Sequence, residues 1–367
     1  MRTRVAIVYN KPSHSRYDVV GEESAVLGVL EAVEAVHKAL LELDFEVIQV
    51  PLVPPLGRAE RKLKNLNTDL VFNLFEGFCG HPETEAVLPE ILSRRGISCT
   101  GCPSSILKLG LDKARVKVML KAGRIRTPDF QLLNRDTLST FRLGYPCIVK
   151  PRCEDASHGL SPGSVVNGFA SLKRQIILVS NSYTGGALVE EFIDGREFNA
   201  TILVNSEYIV LPVSEIVYSL PSEMPRILTF AAKWNPDSPY YKGTNAICPA
   251  EVESEERERL TEAALAAFRI IGGKGYARVD MRMDHKGQVN VIEVNPNPDI
   301  SPDSGAVRQA KAAGMTYTQF IEIIVKLAIH GKDNENQYSP YDSRRQARDN
   351  ENIAVYPRIQ TCRSGGS

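Results

Sequence analysis

Residues 275–299, GYARVDMRMDHKGQVNVIEVNPNPD, hold this chain to a narrow set of folds, because two runs of alternating apolar and polar residues flank a polar turn at Asp284, His285, Lys286 and Gly287. The pattern predicts an antiparallel hairpin. With Met283 paired to Gln288, Arg278 falls opposite Glu293, and Asp280 and Asn295 lie two residues along their own strands on the same face. A slip of one residue sends the two polar sets to opposite faces, so the reading depends on this register. Asp280, Glu293 and Asn295 offer only oxygen donors, which suit a hard cation such as magnesium, and so few protein ligands leave room for water and phosphate oxygens. The competing reading is a salt-bridged, solvated hairpin face. Three acidic or amide groups beside one arginine, set within apolar strands, weigh against it.

Around this hairpin the periodicity changes character along the chain. Residues 5–9 are a continuous apolar run, as in a strand covered on both faces, and residues 22–43 follow with helical spacing. Strands at 45–50, 70–75 and 97–99 alternate with helices at 57–65 and 83–94, which predicts a parallel α/β (Rossmann-like) layer over residues 1–102. A helix over 112–122 has Asp112 as its cap and Gly123 as its stop. Beyond it, strands at 147–149, 164–166, 187–191, 198–204 and 208–213 with few helices between them indicate α+β architecture. A helix over 254–271, whose acidic start complements the helix dipole, precedes the hairpin, and helices at 305–313 and 316–330 follow it. We expect units at 1–102, 103–189 and 190–330, with a polar tail at 331–367 that lacks the apolar content to order.

Two further segments carry chemistry. Lys150 ends the strand at 147–149, and the loop after it, rich in small residues and including Ser157, His158 and Gly159, can bring backbone N–H groups to phosphate oxygens. This matches no Walker A spacing. In ALVEEFIDGREF, residues 187–198, Glu190, Glu191, Phe192 and Ile193 close one strand and Glu197 opens the next; such a connection can meet an adenine edge while a carboxylate accepts ribose hydroxyls. An ordinary turn at Asp194 and Gly195 is the plainer alternative.

Together, DK at 112–113, IVKP at 148–151, VEEFIDGREF at 189–198, KGYARVD at 274–280 and EVNPNPD at 293–299 resemble, in order and spacing, the ATP-grasp superfamily, and most of all D-alanine:D-alanine ligase and its relatives. The resemblance covers about residues 1–330 and implies an ATP-grasp fold with ATP between the central and C-terminal units. It implies that Lys113 and Lys150 contact phosphates, that Glu190, Glu191, Phe192 and Ile193 form the adenine hinge, and that Glu197 binds ribose. Asp280, Glu293 and Asn295 become ligands of two magnesium ions, or manganese in their place, and Arg278 the stabiliser of the oxyanion. Ser157 falls in the small lid loop, Lys233 where a mobile loop reaches the γ-phosphate, and Ser304 where a serine meets the second substrate's carboxylate.

The departures bear on substrate. YNKPSHSRYDVVGEES, residues 9–24, stands where the ligases have a Gly-Gly-x-Ser fingerprint, with Glu22 and Glu23 as stand-ins for the amine-binding glutamate. Glu76 replaces the histidine of an HG motif, Trp234 follows Lys233 in place of tyrosine, and Asp299 replaces a glycine. A carboxylate at the acceptor site attracts a cationic group and repels an anion. The expectation is an ADP-forming carboxylate-amine ligase working through an acyl phosphate on small amino acid substrates other than two D-alanines. The alternatives are an authentic D-alanine:D-alanine ligase and a non-catalytic ATP-binding regulator. A homodimer is compatible with the family.

The balance of 44 Lys and Arg against 44 Asp and Glu removes the basic excess of a nucleic-acid binder. No apolar run approaches a membrane span. Seven scattered cysteines fit a reducing compartment, so we expect a cytoplasmic protein; the CxxC at Cys99 and Cys102 has no second pair to close a zinc site.

Overall fold

The computed structural model describes residues 2–12, 22–78, 81–154, 157–204, 207–334 and 353–355. Its first layer contains β1 (Arg4–Asn10), α1 (Glu22–Glu42), β2 (Glu46–Leu52), α2 (Leu56–Lys64), β3 (Leu70–Leu74), α3 (Val87–Arg94) and β4 (Ser98–Cys99). The strands are parallel in the order β2–β1–β3–β4. The unbroken apolar run of β1 has the expected cause: Val5 and Ile7 enter one core with α1, while Ala6 and Val8 enter another with α2 and α3. The helix expected over 83–94 begins as a 3₁₀ turn, Pro82–Ala86, before α3.

Next come α4 (Ser104–Leu111), α5 (Lys113–Ala122), β5 (Phe130–Leu133), β6 (Cys147–Pro151), β7 (Val165–Val166), α6 (Phe169–Ser182) and β8 (Ala187–Glu191). Asp112 caps α5, its Oδ1 accepting from the Arg115 N–H at 3.2 Å. The four strands make an antiparallel sheet, β5–β8–β6–β7, whose core is closed by α6, a helix the sequence reading passed over. The helices α4 and α5 turn elsewhere, with Ile106, Leu107, Val116 and Leu120 in the core of the following unit. The expected boundary at 189/190 falls inside β8.

The last unit holds β9 (Arg196–Val204), β10 (Tyr208–Val210), β11 (Ser214–Tyr218), α7 (Phe230–Trp234), α8 (Pro239–Lys242), β12 (Thr244–Ile247), α9 (Ser254–Ile270), β13 (Gly275–Met283), β14 (Val289–Asn295), α10 (Gly305–Ala312), α11 (Tyr317–Asn334) and β15 (Ile353–Val355). The sheet runs β12–β11–β9–β10–β15, with β13 pairing both β9 and β14. The helix α9 covers one face; α10 and α11 pack between the other face and the first sheet, so that Val5, Phe72, Leu203, Tyr276 and Phe320 share a single core. Of residues 331–367, expected to lack structure, those to Asn334 extend α11, and Ile353–Val355 pairs parallel with β10, a short β-prone run meeting an open sheet edge. The rest of that segment lies outside the described residues.

The hairpin forms, but in a different register. Met283 pairs with Val289, Arg278 with Asn295, and Asp280 with Glu293. The shift at the turn alone would have turned Glu293 away. It is undone between Asp280 and Met281, where Ile292 is left without an opposite number, and this bulge returns Glu293 and Asn295 to the face of Arg278 and Asp280.

Candidate active site

On that face the charges are paired tightly. The Arg278 guanidinium grips Asp280 with Nε to Oδ1 at 2.7 Å and Nη2 to Oδ2 at 2.9 Å, a bidentate fork along one strand. Lys113, at the start of α5, places its Nζ 2.6 Å from Glu293 Oε1 and donates also to the Glu154 carbonyl. Burial alone would raise the Glu293 carboxyl. The charge and hydrogen bond of Lys113, with Lys150 and Arg278 beyond it, outweigh burial and hold the group at about 2. The Asn295 side-chain oxygen accepts from the Asn297 N–H at 3.0 Å. Two carboxylates and an amide oxygen on one face are a donor set that fits a hard divalent cation, and each carboxylate is paired with a cationic side chain, Lys113 on Glu293 and Arg278 on Asp280.

A second cluster lies where β6 and β8 run side by side. Glu190 and Lys117 are each 1% exposed; Glu190 stands 3.1 Å from Lys150 Nζ and 3.3 Å from Lys117 Nζ, and Lys117 donates to Thr127 Oγ1 at 2.9 Å. Burial raises the Glu190 carboxyl, but its two lysines prevail and lower it; Lys117 is pushed down to about 8 by burial, only partly countered by Glu190. Sequence reasoning missed Lys117. The available signal was its position four residues after Lys113 on one helix, hence on the same face.

The hinge is more fully engaged than its sequence suggests. The N–H groups of Glu191 and Phe192 donate to the carbonyls of Asp129 and Pro146 at 2.8 and 3.0 Å, and the Ile193 carbonyl accepts from Arg282 Nη1 at 2.8 Å. The Glu191 side chain is exposed. The turn passes so close to the hairpin that a Cβ on Gly195 would stand 2.0 Å from the Met283 carbonyl oxygen. Across the β9–β13 pair, Arg282 lies opposite Glu197 and donates to its Oε2 from Nη2 at 2.5 Å and Nε at 3.2 Å; Tyr218 Oη donates to the same oxygen at 2.8 Å. Arg282 shares the face of Arg278 and Asp280 by strand alternation, a signal present in the sequence and not used.

The remaining residues are distributed over the loops and element ends. Ser157 takes a left-handed backbone, φ 67°, in a loop whose His158 ring leans on Phe230 at 5.0 Å between centroids. Lys233 lies in α7, which Thr229 caps, and the neighbouring Trp234 reaches α1, where a Cβ on Gly28 would stand 3.2 Å from Trp234 Cη2. Ser304 caps α10, its Oγ accepting from the Val307 N–H at 3.3 Å. Glu76 follows β3 with its side chain exposed; the Asn10 amide at the end of β1 pins its backbone, Oδ1 accepting from the Glu76 N–H at 2.9 Å and Nδ2 donating to the Gly77 carbonyl. Asp299 caps its own turn, accepting from the Ser301 N–H and hydroxyl at 2.8 and 2.9 Å. Glu23 falls in the first turn of α1, and its side chain lies outside the described residues, as do residues 13–21 of the variant N-terminal segment. The thiols of Cys99 and Cys102 are pushed up to about 12 by burial, so neither is a thiolate at neutral pH.

Residues 108–326 match the family model described as D-ala D-ala ligase C-terminus. Over 261 residues, 71% of this chain and 74% of the relative, the sequence is 38% identical to uncharacterized protein y4sG of Sinorhizobium fredii. It is 31% identical to a D-alanine–D-alanine ligase of Thermotoga maritima over 82% of this chain and 92% of that protein. Among solved structures, the VanG D-Ala:D-Ser ligase of Enterococcus faecalis superposes with a TM-score of 0.71 at 21% identity, covering 89% of this chain and all of that one. The chain belongs to the D-alanine–D-alanine ligase family, with its ATP-grasp fold, and is an ATP-dependent carboxylate-amine ligase.

Proposed function

We propose that this ligase forms ADP, joins an amino acid carboxylate to an amine through an acyl phosphate, and takes at least one substrate other than D-alanine. The observation that supports the substrate reading is Glu76, an exposed acidic residue whose backbone is pinned by Asn10 beyond the C-terminal ends of two adjacent parallel strands, where open α/β sheets receive ligands. An anion there favours a substrate carrying an ammonium group. Asp299, in place of a glycine, adds a second negative charge beyond β14.

In the first step a substrate carboxylate oxygen attacks the γ-phosphorus in line, the bond to the bridging oxygen breaks, and ADP leaves. Lys113, Lys150 and Lys233 supply positive charge to the phosphates, Glu190 and the 191–193 hinge receive the base, and Glu197 accepts from the ribose. Magnesium held by Asp280, Glu293 and Asn295 would neutralise charge developing on the phosphoryl oxygens. In the second step the amine attacks the acyl carbon, phosphate departs, and the amine gives up a proton. Arg278, whose guanidinium lies on Asp280, would stabilise the oxyanion formed on the way. Ser157 and its loop exclude water that would hydrolyse the acyl phosphate, Ser304 meets the second carboxylate, and Glu23 meets the amine.

A screen of phosphate release with D- and L-amino acids, singly and in pairs, tests the reading. Turnover with a partner other than D-alanine supports it; full turnover with D-alanine alone favours the second reading, an authentic D-alanine–D-alanine ligase, which the names of the curated relatives support. Nucleotide binding without turnover on any pair would favour a regulator. Among the described residues no single helix is long and apolar enough to cross a membrane. We place the protein in the cytoplasm, where ATP is available.

A further inference from the structure

Arg282 is a buried guanidinium, 5% exposed, that touches three separate parts of the cleft. It holds Glu197 through Nε and Nη2, binds the Ile193 carbonyl of the hinge through Nη1, and donates from Nη2 to the carbonyl of Arg226. Its guanidinium carbon also lies 5.1 Å from the centroid of the Phe192 ring. Arg226 is the root of the segment that continues through Ile227 and the Thr229 cap into α7, and so to Lys233 and Trp234. Ile227, Ala232 and Tyr240 of that segment are buried in a small core with Ile148, against which Phe192 of the hinge also packs. From the ribose carboxylate to the lysine-bearing loop the contacts are continuous, and Arg282 is the side chain that joins them.

We propose that Arg282 is a positioning residue that ties nucleotide binding at the hinge and Glu197 to the seating of the 225–243 loop, so that Lys233 is placed only when the nucleotide is in position. This rests on the assignment of Glu197 to the ribose and Lys233 to the γ-phosphate. The reason is geometric. A planar guanidinium has five N–H donors in a fixed fork, so it can hold a carboxylate and two carbonyls at once; an ammonium concentrates its donors at one point and cannot span all three. Glu197 Oε2 already receives Arg282 and Tyr218, while Oε1 takes none of these bonds. Ribose hydroxyls engaging Oε1 would therefore fix the carboxylate without displacing Arg282, and the arginine in turn fixes the Arg226 carbonyl.

The chain has one tryptophan, Trp234, and it sits in the loop concerned, so its fluorescence reads the loop directly. Full-length protein is titrated with magnesium and the non-hydrolysable β,γ-imido analogue of ATP, following binding by calorimetry and Trp234 emission in parallel. In the wild type the two signals should rise together. Arg282→Met should still bind the analogue but lose the emission change, with kcat down roughly tenfold or more while KM for ATP moves by less than about threefold. Arg282→Lys keeps the charge opposite Glu197 and should show the same split; it decides the matter if circular dichroism finds the Met variant unfolded. An emission change of wild-type amplitude in the folded variants overturns the coupling, as does a wild type that binds the analogue with no change at Trp234. Loss of affinity with kcat retained at saturating ATP reduces Arg282 to a nucleotide contact and also overturns it. A wild type that binds no analogue sinks the nucleotide assignment itself, and the coupling with it.

Discussion

Lys117→Met isolates the energetics of the buried Lys117–Glu190–Lys150 cluster. Its ammonium is 1% exposed and burial lowers it from an ordinary 10.5 to about 8, a difference of roughly 3 kcal/mol at 1.36 kcal/mol per pH unit. The sign follows from proton counting. Below about pH 8 both folded and unfolded chains hold the proton, and the folded state bears the whole cost. Between about 8 and 10.5 the folded chain has lost the proton and the unfolded chain keeps it, so this group's contribution to stability rises with pH. Methionine fills similar space without titrating, and Glu190 keeps Lys150 at 3.1 Å, so the variant should fold. Urea unfolding followed by far-UV circular dichroism, on both proteins at pH 7 and pH 10, gives the difference directly, since other titrating groups cancel. Wild type should gain about 2 to 3 kcal/mol on the variant between the two pH values. A gap that does not change with pH would refute the argument that Lys117 is the group strained by burial.

Three other substitutions probe the site and its frame. Glu293→Ala removes the carboxylate paired with Lys113 and proposed to hold the cation, and should lower ADP release at saturating magnesium by about a hundredfold or more; near-normal turnover would remove Glu293 from the proposed metal site. Arg278→Ala should leave affinity for the ATP analogue within a few-fold while kcat falls by about 10² to 10³, and a collapse of nucleotide binding would instead make Arg278 a phosphate clamp. Gly195→Ala drives a methyl into the Met283 carbonyl, 2.0 Å away before relaxation, and should cost about 1 to 3 kcal/mol in urea unfolding; no loss would mean that the hinge yields freely.

The sequence carried the layers well where one physical signal dominated. The run at β1 and the 3.6 period of α1 read correctly because each is set by burial of whole faces. Register was less accessible, because a turn of polar residues does not announce which pair closes it. The signal was the doublet Val291–Ile292, two successive apolar residues where alternation skips, and the bulge sits there. The helix α6 was also overlooked, although Leu172, Ile176 and Val179 repeat at helical spacing and are buried in its core. At the site, residues carried by motifs came together: Lys113 with Glu293, Arg278 with Asp280, Lys150 with Glu190. What escaped was contact between distant segments. Asn297 donates to Glu85 Oε1 at 2.8 Å across 212 residues, and Arg282 binds the Arg226 carbonyl across 56, pairings that depend on how sheets stack and not on any local pattern.

The helix α11 serves two sheets at once, its Phe320, Ile321 and Ile324 buried in a core that also contains β1, β3 and β13. Any rearrangement that preserves that core must keep those two sheets fixed to each other. The small sheet β5–β8–β6–β7, closed by α6 on a separate core, contributes no residue to that one. Grafting a foreign module in place of residues 1–102 would strip one side of α11 bare, so this half of the enzyme has to be inherited as a unit.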